Sequence, residues 1–208
     1  MLVIGLTGSI GMGKSAAAQH FRKRGVPICD ADAEVHRLYD SEAVPAIAAA
    51  FPNSVHGGKV NRALLAQEVA GSPQKLAQLE SIVHPMVVKA EIDFLRGQEK
   101  RGAKLAVLEI PLLFETDARA RVDVSVVVSA PEEVQRARVL ARPGMSPAKL
   151  EALLKRQLSD KEKRARADYV VDTGTSLADM EAQIDKILDS LRGREGRVME
   201  RLRHSQGS

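Results

Sequence analysis

The chain has 208 residues, a modest formal net charge of +4 and one cysteine, Cys29. That length suits a single α/β core with a smaller insertion, and one cysteine excludes both an intrachain disulfide and a cysteine metal cluster. No window approaches the roughly 18 consecutive apolar residues that cross a bilayer, and the histidines lack zinc-ligand spacing. We therefore expect a cytoplasmic protein with neither a membrane partner nor a structural zinc.

The first element is the apolar run Leu2-Val3-Ile4-Gly5-Leu6, which predicts a buried strand. After Thr7, the eight residues from Gly8 to Ser15 fit the phosphate-loop pattern G-x-x-x-x-G-K-[ST]. In such a loop the backbone N–H groups surround a β-phosphate, Lys14 bridges the β- and γ-phosphates, and the Ser15 hydroxyl binds Mg²⁺. The predicted ATP-binding residues of the loop are Gly8, Ser9, Ile10, Gly11, Met12, Gly13, Lys14 and Ser15.

A second interpretation of the same residues is a dinucleotide site. Gly11 to Ala16 also spells G-x-G-x-x-A, and Asp30 and Asp32 stand at about the distance of a ribose-binding acid. The phosphate loop is favoured because Gly8 already occupies the strand end and the Lys-Ser ending has no role in a dinucleotide fold. A titration with NAD against ATP separates the two.

The second predicted strand, Val26 to Asp30, ends in Asp30-Ala31-Asp32. Ligands of open parallel sheets bind beyond the carboxyl ends of the strands. Asp32 is therefore a candidate to orient or deprotonate an acceptor alcohol, whereas Asp30 alone is better interpreted as a helix cap.

Residues 33–102 form a long block with helical spacing, which we predict to be a helical substrate-binding insertion. Ser72-Pro73 predicts a helix start, and His84-Pro85 predicts a break between two helices.

Strand patterns return at Lys104 to Ile110, Val122 to Ser129 and Tyr169 to Val171, and a last helix is predicted over Leu177 to Leu191. Strands that alternate with helices predict an α/β, three-layer fold with a parallel sheet, here a P-loop NTPase fold with a helical insertion and a helical lid. The predicted nucleotide-binding core comprises 1–32, 103–135 and 167–192. The polar segment 193–208 predicts a frayed tail.

Residues 136–166 carry ten Lys or Arg against three acidic residues. Within a nucleotide-binding chain this segment, here called the basic lid, predicts a clamp on phosphates. A solvated helix face or a nucleic-acid-binding ATPase are the alternatives. The four Phe and two Tyr do not interleave with these charges, so we expect no nucleic-acid partner.

Taken together, several motifs resemble those of the dephospho-coenzyme A kinase family. They occur in order over nearly the whole chain: Leu6-Thr7-Gly8 with the loop, Asp30-Ala31-Asp32 with His36, His84-Pro85, Pro111-Leu112-Leu113-Phe114-Glu115, Gln135 with Arg138 and Arg142, Arg156-Gln157, and Ala167 to Asp172 before Gly174. The resemblance implies transfer of the ATP γ-phosphate to the ribose 3′-hydroxyl of dephospho-coenzyme A, the last step of coenzyme A synthesis. A kinase acting on nucleoside monophosphates is the nearest alternative.

The resemblance also implies roles for particular residues. Asp32 is the general base, and Lys14 and Arg142 complete the catalytic set; Arg138 and Arg142 close on ATP from the lid. The implied substrate contacts are Asp32, His84, Leu113, Phe114 and Glu115, and the backbone of Thr173 and Gly174 lies against adenine. A helix-boundary role for His84 is an equal alternative.

Two positions depart from the family pattern. Ala16 stands where Thr often follows the loop serine, and Glu109 stands where Asp is more usual. Glu109 is either an outer-shell partner of Mg²⁺ or a plain strand-end carboxylate.

Overall fold

The structure, a computed structural model, describes residues 1–204 and divides into two compact units. One unit contains Met1–Cys29 and the chain from Leu95 onward, and the other is Asp30–Phe94. The strands are β1 (Leu2–Thr7), β2 (Ile28–Asp30), β3 (Val55–His56), β4 (Lys59–Val60), β5 (Leu105–Glu109), β6 (Val124–Ser129) and β7 (Tyr169–Asp172). The helices are α1 (Lys14–Lys23), α2 (Ala31–Tyr39), α3 (Val44–Ala50), α4 (Arg62–Val69), α5 (Pro73–Lys100), α6 (Glu132–Leu140), α7 (Pro147–Leu154), α8 (Asp160–Arg166), α9 (Leu177–Leu191) and α10 (Val198–His204).

A five-stranded sheet in the order β2-β5-β1-β6-β7 forms the core of the first unit. Strand β1 lies between β5 and β6 and is parallel to both, with Leu2 opposite Leu105 and Ile4 opposite Val124. Every residue of β1 and β6 is buried, as expected for a sheet that helices cover on both faces. The predicted α/β architecture with a parallel sheet is confirmed.

Helices α1 and α9 cover one face of this sheet. Phe21 of α1 and Ile184 of α9 have no exposed surface and share a core cluster with Ile4 and Leu6. On the opposite face, a Cβ added to Gly5 would lie 3.0 Å from side-chain atoms of Leu113 and Val122. Glycine at this position therefore lets the segment after β5 approach the sheet closely.

The unit Asp30–Phe94 has its own apolar core, which includes Leu38, Ile47, Phe51, Val83 and Val87. It overlaps the predicted insertion but is not wholly helical. A two-stranded antiparallel hairpin, β3–β4, turns at Gly57 and Gly58, both with positive φ. Two consecutive positive φ values suit a two-residue hairpin turn, which favours glycine.

The predicted helix break at His84-Pro85 is wrong, because α5 runs without interruption from Pro73 to Lys100 with Pro85 inside it. Proline removes one backbone hydrogen bond, but Val83 and Val87 on either side are buried in the apolar core of this unit. Their packing keeps both halves of the helix in line. The predicted start is confirmed, since Ser72 Oγ accepts a hydrogen bond from Lys75 N at 3.3 Å.

The predicted frayed tail is also wrong over its described part, where α10 forms and buries Val198 and Met199. The Asp123 carboxylate fixes its start: Oδ1 accepts from Arg197 N and Val198 N at 2.7 and 3.0 Å, and Oδ2 accepts from Val3 N at 2.8 Å. Residues 205–208 of the predicted tail lie outside the described residues. Among the described helices, none combines the length and apolar character needed to span a bilayer.

A charged cluster joins α1 to α9 at the surface of the core unit. Both ring nitrogens of the buried His20 face carboxylate oxygens: Nδ1 lies 3.1 Å from Glu181 Oε1, and Nε2 lies 2.8 Å from Asp185 Oδ1. Arg24 Nε also donates to Asp185 Oδ1 at 2.7 Å. Hydrogen bonds from Arg24, and then from His20, lower the pKa of Asp185 from its ordinary 3.8 to about 2.

This cluster predicts a pH dependence of stability. A carboxyl group whose pKa is lower in the folded state stabilises the fold above its unfolded pKa, and this contribution is lost as the pH falls. We expect urea unfolding to show Asp185→Asn less stable than the unmodified chain above about pH 4, with the difference disappearing as the pH approaches about 2. A difference that stays constant over that range would contradict the prediction.

Candidate active site

The loop between β1 and α1 presents unpartnered backbone donors. Gly11 and Gly13 have positive φ values of 80° and 82°, which turn the chain inward. Met12 N donates to Ser9 O at 3.1 Å, but for the N–H groups of Gly11, Gly13, Lys14 and Ser15 no partner is recorded within residues 1–204. Several free N–H groups at a helix start form a ready site for an anion such as phosphate.

Three contacts hold this loop from outside. Gln135 Nε2 donates to Ile10 O at 2.8 Å, Thr173 Oγ1 donates to Met12 O at 2.8 Å, and Ala130 N lies 3.1 Å from Met12 Sδ. A Cβ added to Gly13 would lie only 2.9 Å from Thr173 Oγ1, so glycine is also needed for this approach. The loop is therefore preorganised by α6, by the end of β6 and by the residue after β7.

Lys14 and Glu109 come together at the mouth of the loop. Lys14 Nζ lies 3.5 Å from Glu109 Oε1, and the two side chains are 16% and 8% exposed. This contact places Glu109, at the carboxyl end of β5, beside the predicted phosphate-binding ammonium. Ser15 is exposed at the start of α1, and its hydroxyl has no recorded partner in the described part of the chain.

The two lid arginines differ in their surroundings. Arg138 Nη2 donates to Thr173 O at 2.7 Å and Nη1 to Thr173 Oγ1 at 3.2 Å, so Arg138 is tied to the residue that anchors the loop. Arg142 is exposed, and no partner of its guanidinium is recorded among residues 1–204. Gly174 N donates to Asp172 Oδ1 at 2.8 Å, which fixes the turn after β7.

Two other cations of the basic lid are paired with carboxylates. Arg136 Nη1 lies 2.6 Å from Glu151 Oε1, and Lys163 Nζ lies 2.9 Å from Glu115 Oε1. The lid is therefore not one continuous basic face.

A cavity of about 560 Å³ opens beside the loop in the core unit. Ser9 and Met12 form part of its lining, together with residues from the end of β6, the start of α6 and the α7–α8 turn, which comprises residues 155–159. Ser129 Oγ donates to Asp160 Oδ2 at 2.7 Å in its wall. Gln157 Oε1 and Asp160 Oδ1 are buried there without a recorded hydrogen-bond partner in residues 1–204.

A family model described as Dephospho-CoA kinase matches residues 2–179 of this chain. The chain belongs to the dephospho-CoA kinase family. It is 55% identical over 190 residues to a protein named dephospho-CoA kinase from Rhodopseudomonas palustris. The aligned region covers 91% of this chain and 96% of that protein.

Solved structures agree with the fold. The crystal structure of TT1252 from Thermus thermophilus has a TM-score of 0.81 at 38% identity and covers 92% of this chain and 98% of that one. Shikimate kinase from Acinetobacter baumannii has a TM-score of 0.55 at 18% identity, over 93% and 96% of the two chains. The second likeness concerns the fold alone, which is that of the P-loop kinases.

In this member of the dephospho-CoA kinase family, the segment after β5 contains three predicted substrate contacts. Leu113 is fully buried and belongs to the core, so this geometry gives no support to a substrate contact by Leu113. Phe114 is half-buried. Glu115 Oε1 faces Lys163 and also accepts from Leu158 N at 2.9 Å, so this geometry gives no support to a substrate contact by Glu115.

The other predicted substrate residues, Asp32 and His84, lie in the unit Asp30–Phe94. Asp30 caps α2, since its Oδ1 accepts from Asp32 N and Ala33 N at 3.0 and 3.1 Å; this prediction is confirmed. The Asp32 side chain is exposed in the first turn of α2. His84 is exposed inside α5, so its interpretation as a helix-boundary residue is wrong.

Sequence patterns did not reveal Ser129, Asp160 and Lys163 as residues of this region. Ser129 and Asp160 line the cavity, and Lys163 is the buried partner of Glu115. A serine at a strand end and a lysine in a basic helix carry no distinctive spacing. For Lys163, the Ser159-x-x-Glu162 capping box predicts the helix but not which of its faces is buried.

Proposed function

We propose that this chain transfers the γ-phosphate of ATP to the ribose 3′-hydroxyl of dephospho-CoA and so forms CoA, the final step of CoA biosynthesis. The observation that carries the proposal is the family match over residues 2–179. The matched range includes a phosphate loop in which several N–H groups have no recorded partner within residues 1–204, with Lys14 at its mouth. We propose the cytoplasm as the compartment of the reaction.

The ATP side of the proposal rests on the loop. Phosphoryl transfer needs positioned donors and positive charge around the moving group more than it needs covalent chemistry from the protein. The free loop N–H groups and the helix dipole of α1 bind the β-phosphate, and Lys14 neutralises charge on the β- and γ-phosphates.

The donor set also fits Mg²⁺. The exposed Ser15 hydroxyl is free to bind the ion, and the Glu109 carboxylate beside Lys14 is suited to an outer-shell contact. When bound, Mg²⁺ neutralises charge on the phosphate oxygens.

The acceptor side of the proposal rests on the unit Asp30–Phe94, which we propose as the substrate-binding insertion. Asp32 follows the end of β2 by two residues, and its exposed carboxylate is free to accept the proton of the ribose hydroxyl. His84 and Phe114 are proposed contacts of the dephospho-CoA body. The backbone of Thr173 and Gly174, held by Arg138 and Asp172, is the proposed adenine contact.

Arg142 provides a test of the lid. Because its guanidinium is exposed and has no recorded partner in residues 1–204, we expect Arg142→Ala to lower kcat about 10- to 100-fold while the thermal midpoint stays unchanged. Arg192→Ala is the control, since Arg192 is 82% exposed and pairs only with the exposed Asp189 within the described chain. Coupled ADP-release assays and thermal unfolding measure both. An Arg142→Ala variant that keeps its normal kcat would assign Arg142 to the solvated face.

The function itself is tested by following ATP consumption over a panel of acceptors that contains dephospho-CoA, nucleoside monophosphates and shikimate. We expect the highest kcat/KM with dephospho-CoA and a product phosphorylated on the ribose 3′-hydroxyl. Faster phosphorylation of a nucleoside monophosphate would overturn the proposal. Hydrolysis stimulated by nucleic acid, with affinity falling steeply as salt rises, would overturn it in favour of a nucleic-acid-binding ATPase.

A further inference from the structure

A buried ion pair joins two distant segments of the core unit. Lys163 in α8 has no exposed side-chain surface, Glu115 is 12% exposed, and Nζ lies 2.9 Å from Oε1. The ammonium is not aligned for a hydrogen bond, so charge attraction in a poorly solvated site accounts for the contact. The inference drawn from this pair rests on the kinase function proposed above.

The same short segment also binds the backbone around α8. Leu158 N donates to Glu115 Oε1 at 2.9 Å, and Arg166 Nη1 lies 3.5 Å from Phe114 O. Residues 114 and 115 therefore contact the chain at three places, Leu158 in the α7–α8 turn and Lys163 and Arg166 in α8. One carboxylate oxygen thus fixes both a backbone amide of the turn and the helix that follows it.

The other end of this segment is tied to the strand that carries the phosphate loop. Thr7 Oγ1 donates to Pro111 O at 3.2 Å, and Thr7 is the residue immediately before Gly8. Leu113, two residues further on, lies 3.0 Å from where a Cβ on Gly5 would stand. A continuous set of contacts therefore runs from β1 through 111–115 to the α7–α8 turn.

The turn matters because it forms a wall of the cavity beside the loop. Gln157 and Leu158 line this cavity together with the loop residues Ser9 and Met12 and with the β6–α6 connection. Gln157 Oε1, which is buried without a recorded hydrogen-bond partner in residues 1–204, belongs to the same turn. We infer that Glu115 and Lys163 are positioning residues of the kinase site. They hold the α7–α8 turn at the position, relative to the phosphate loop, that MgATP binding requires.

The energetics of buried ion pairs favour positioning over simple stabilisation. Replacing such a pair by apolar residues of similar volume is often neutral or stabilising, because desolvation offsets the attraction between the charges. A pair of this kind does restrict the arrangement of its two segments, since other arrangements leave a buried charge uncompensated. A misplacement of about 1 Å in a binding site is enough to reduce turnover strongly.

The test uses Glu115→Asp, which keeps the charge opposite Lys163 but shortens the reach of the carboxylate. We expect thermal unfolding close to that of the unmodified chain, faster hydrogen exchange at the Leu158 amide by NMR, and MgATP binding weakened about 10-fold in equilibrium titration. The matched control is Asp189→Asn, which removes the exposed ion pair with Arg192 and should change none of these quantities.

Two results would overturn the inference: faster exchange at Leu158 with unchanged MgATP affinity, or unchanged exchange. If Glu115→Asp does not fold, Glu115→Gln/Lys163→Met, which removes both charges, takes its place, and the same two results count against the inference. Because exchange and MgATP binding are measured without an acceptor, they report on the pair even if dephospho-CoA is not the substrate. Failure of the proposed function would instead appear as an inactive unmodified chain in the acceptor panel.

Discussion

Lys14→Met is expected to lower kcat/KM for dephospho-CoA phosphorylation by about 10²- to 10³-fold, or roughly 3–4 kcal/mol of transition-state stabilisation. The ammonium stands at the mouth of the loop, 3.5 Å from Glu109 and only 16% exposed. Charge that develops on the transferred phosphoryl group in such a partly desolvated place is stabilised more strongly by a fixed cation than it would be in water. Methionine keeps the apolar length of the side chain and removes only the charge.

The control for this variant is Lys23→Met on the same helix. Lys23 is 66% exposed and contacts Glu181 at 3.3 Å, so its replacement should leave kcat/KM unchanged. Part of the loss in Lys14→Met comes from the Glu109 carboxylate, which then faces the phosphates without its neighbouring cation. Lys14→Met/Glu109→Gln separates the two contributions by steady-state kinetics. A loss below about 1 kcal/mol in Lys14→Met would contradict the assigned role.

The local features of this fold could be predicted from the sequence because short-range chemistry determines them. The β-branched run of β6 is buried throughout, and α9 occupies Leu177–Leu191, as predicted. The phosphate loop has the same character, since its glycines and Lys14 are contiguous in the chain. Asp30 and Ser72, both predicted as caps, act within three residues of their own position.

The errors lie where distant residues decide the structure. Pro85 does not end α5 because Val83 and Val87 are held by the core of their unit, a contribution that a local rule cannot include. Residues 198–204 form α10 because Asp123, which lies 75 residues before Val198, caps this helix. In both cases tertiary contacts outweigh the propensity of the segment.

The site was predicted in the same uneven manner. The loop and Glu109 were predicted as site residues from the sequence, whereas the contact between Gln135 and Ile10 and the one between Glu115 and Lys163 join residues 125 and 48 positions apart. No periodicity links such pairs, so their partners become known only when the sheet order brings them together. The resemblance to the family pointed to Gln135 and Glu115 but gave neither of them its partner.

Asp32→Asn is expected to reduce kcat by about 10²- to 10⁴-fold while the Kd for dephospho-CoA stays close to its normal value. The amide keeps the size and the acceptor oxygen of the carboxylate but cannot take a proton from the ribose hydroxyl. Binding is preserved because α2 does not depend on this side chain: the cap of the helix comes from Asp30, and Asp32 contributes only its N–H. Single-turnover kinetics and equilibrium binding of dephospho-CoA measure the two quantities separately.

Asp30→Asn is the matched control, since it makes the same chemical change two residues away. Asparagine caps helices about as well as aspartate, so this variant should keep both stability and turnover. Equal losses in the two variants would mean that the start of α2 is perturbed, and near-normal turnover in Asp32→Asn would remove Asp32 as the base. A loss confined to Asp32→Asn, with unchanged binding, leaves proton transfer as the step that fails. The two carboxylates lie two residues apart at the start of α2, and the one that caps the helix is that of Asp30.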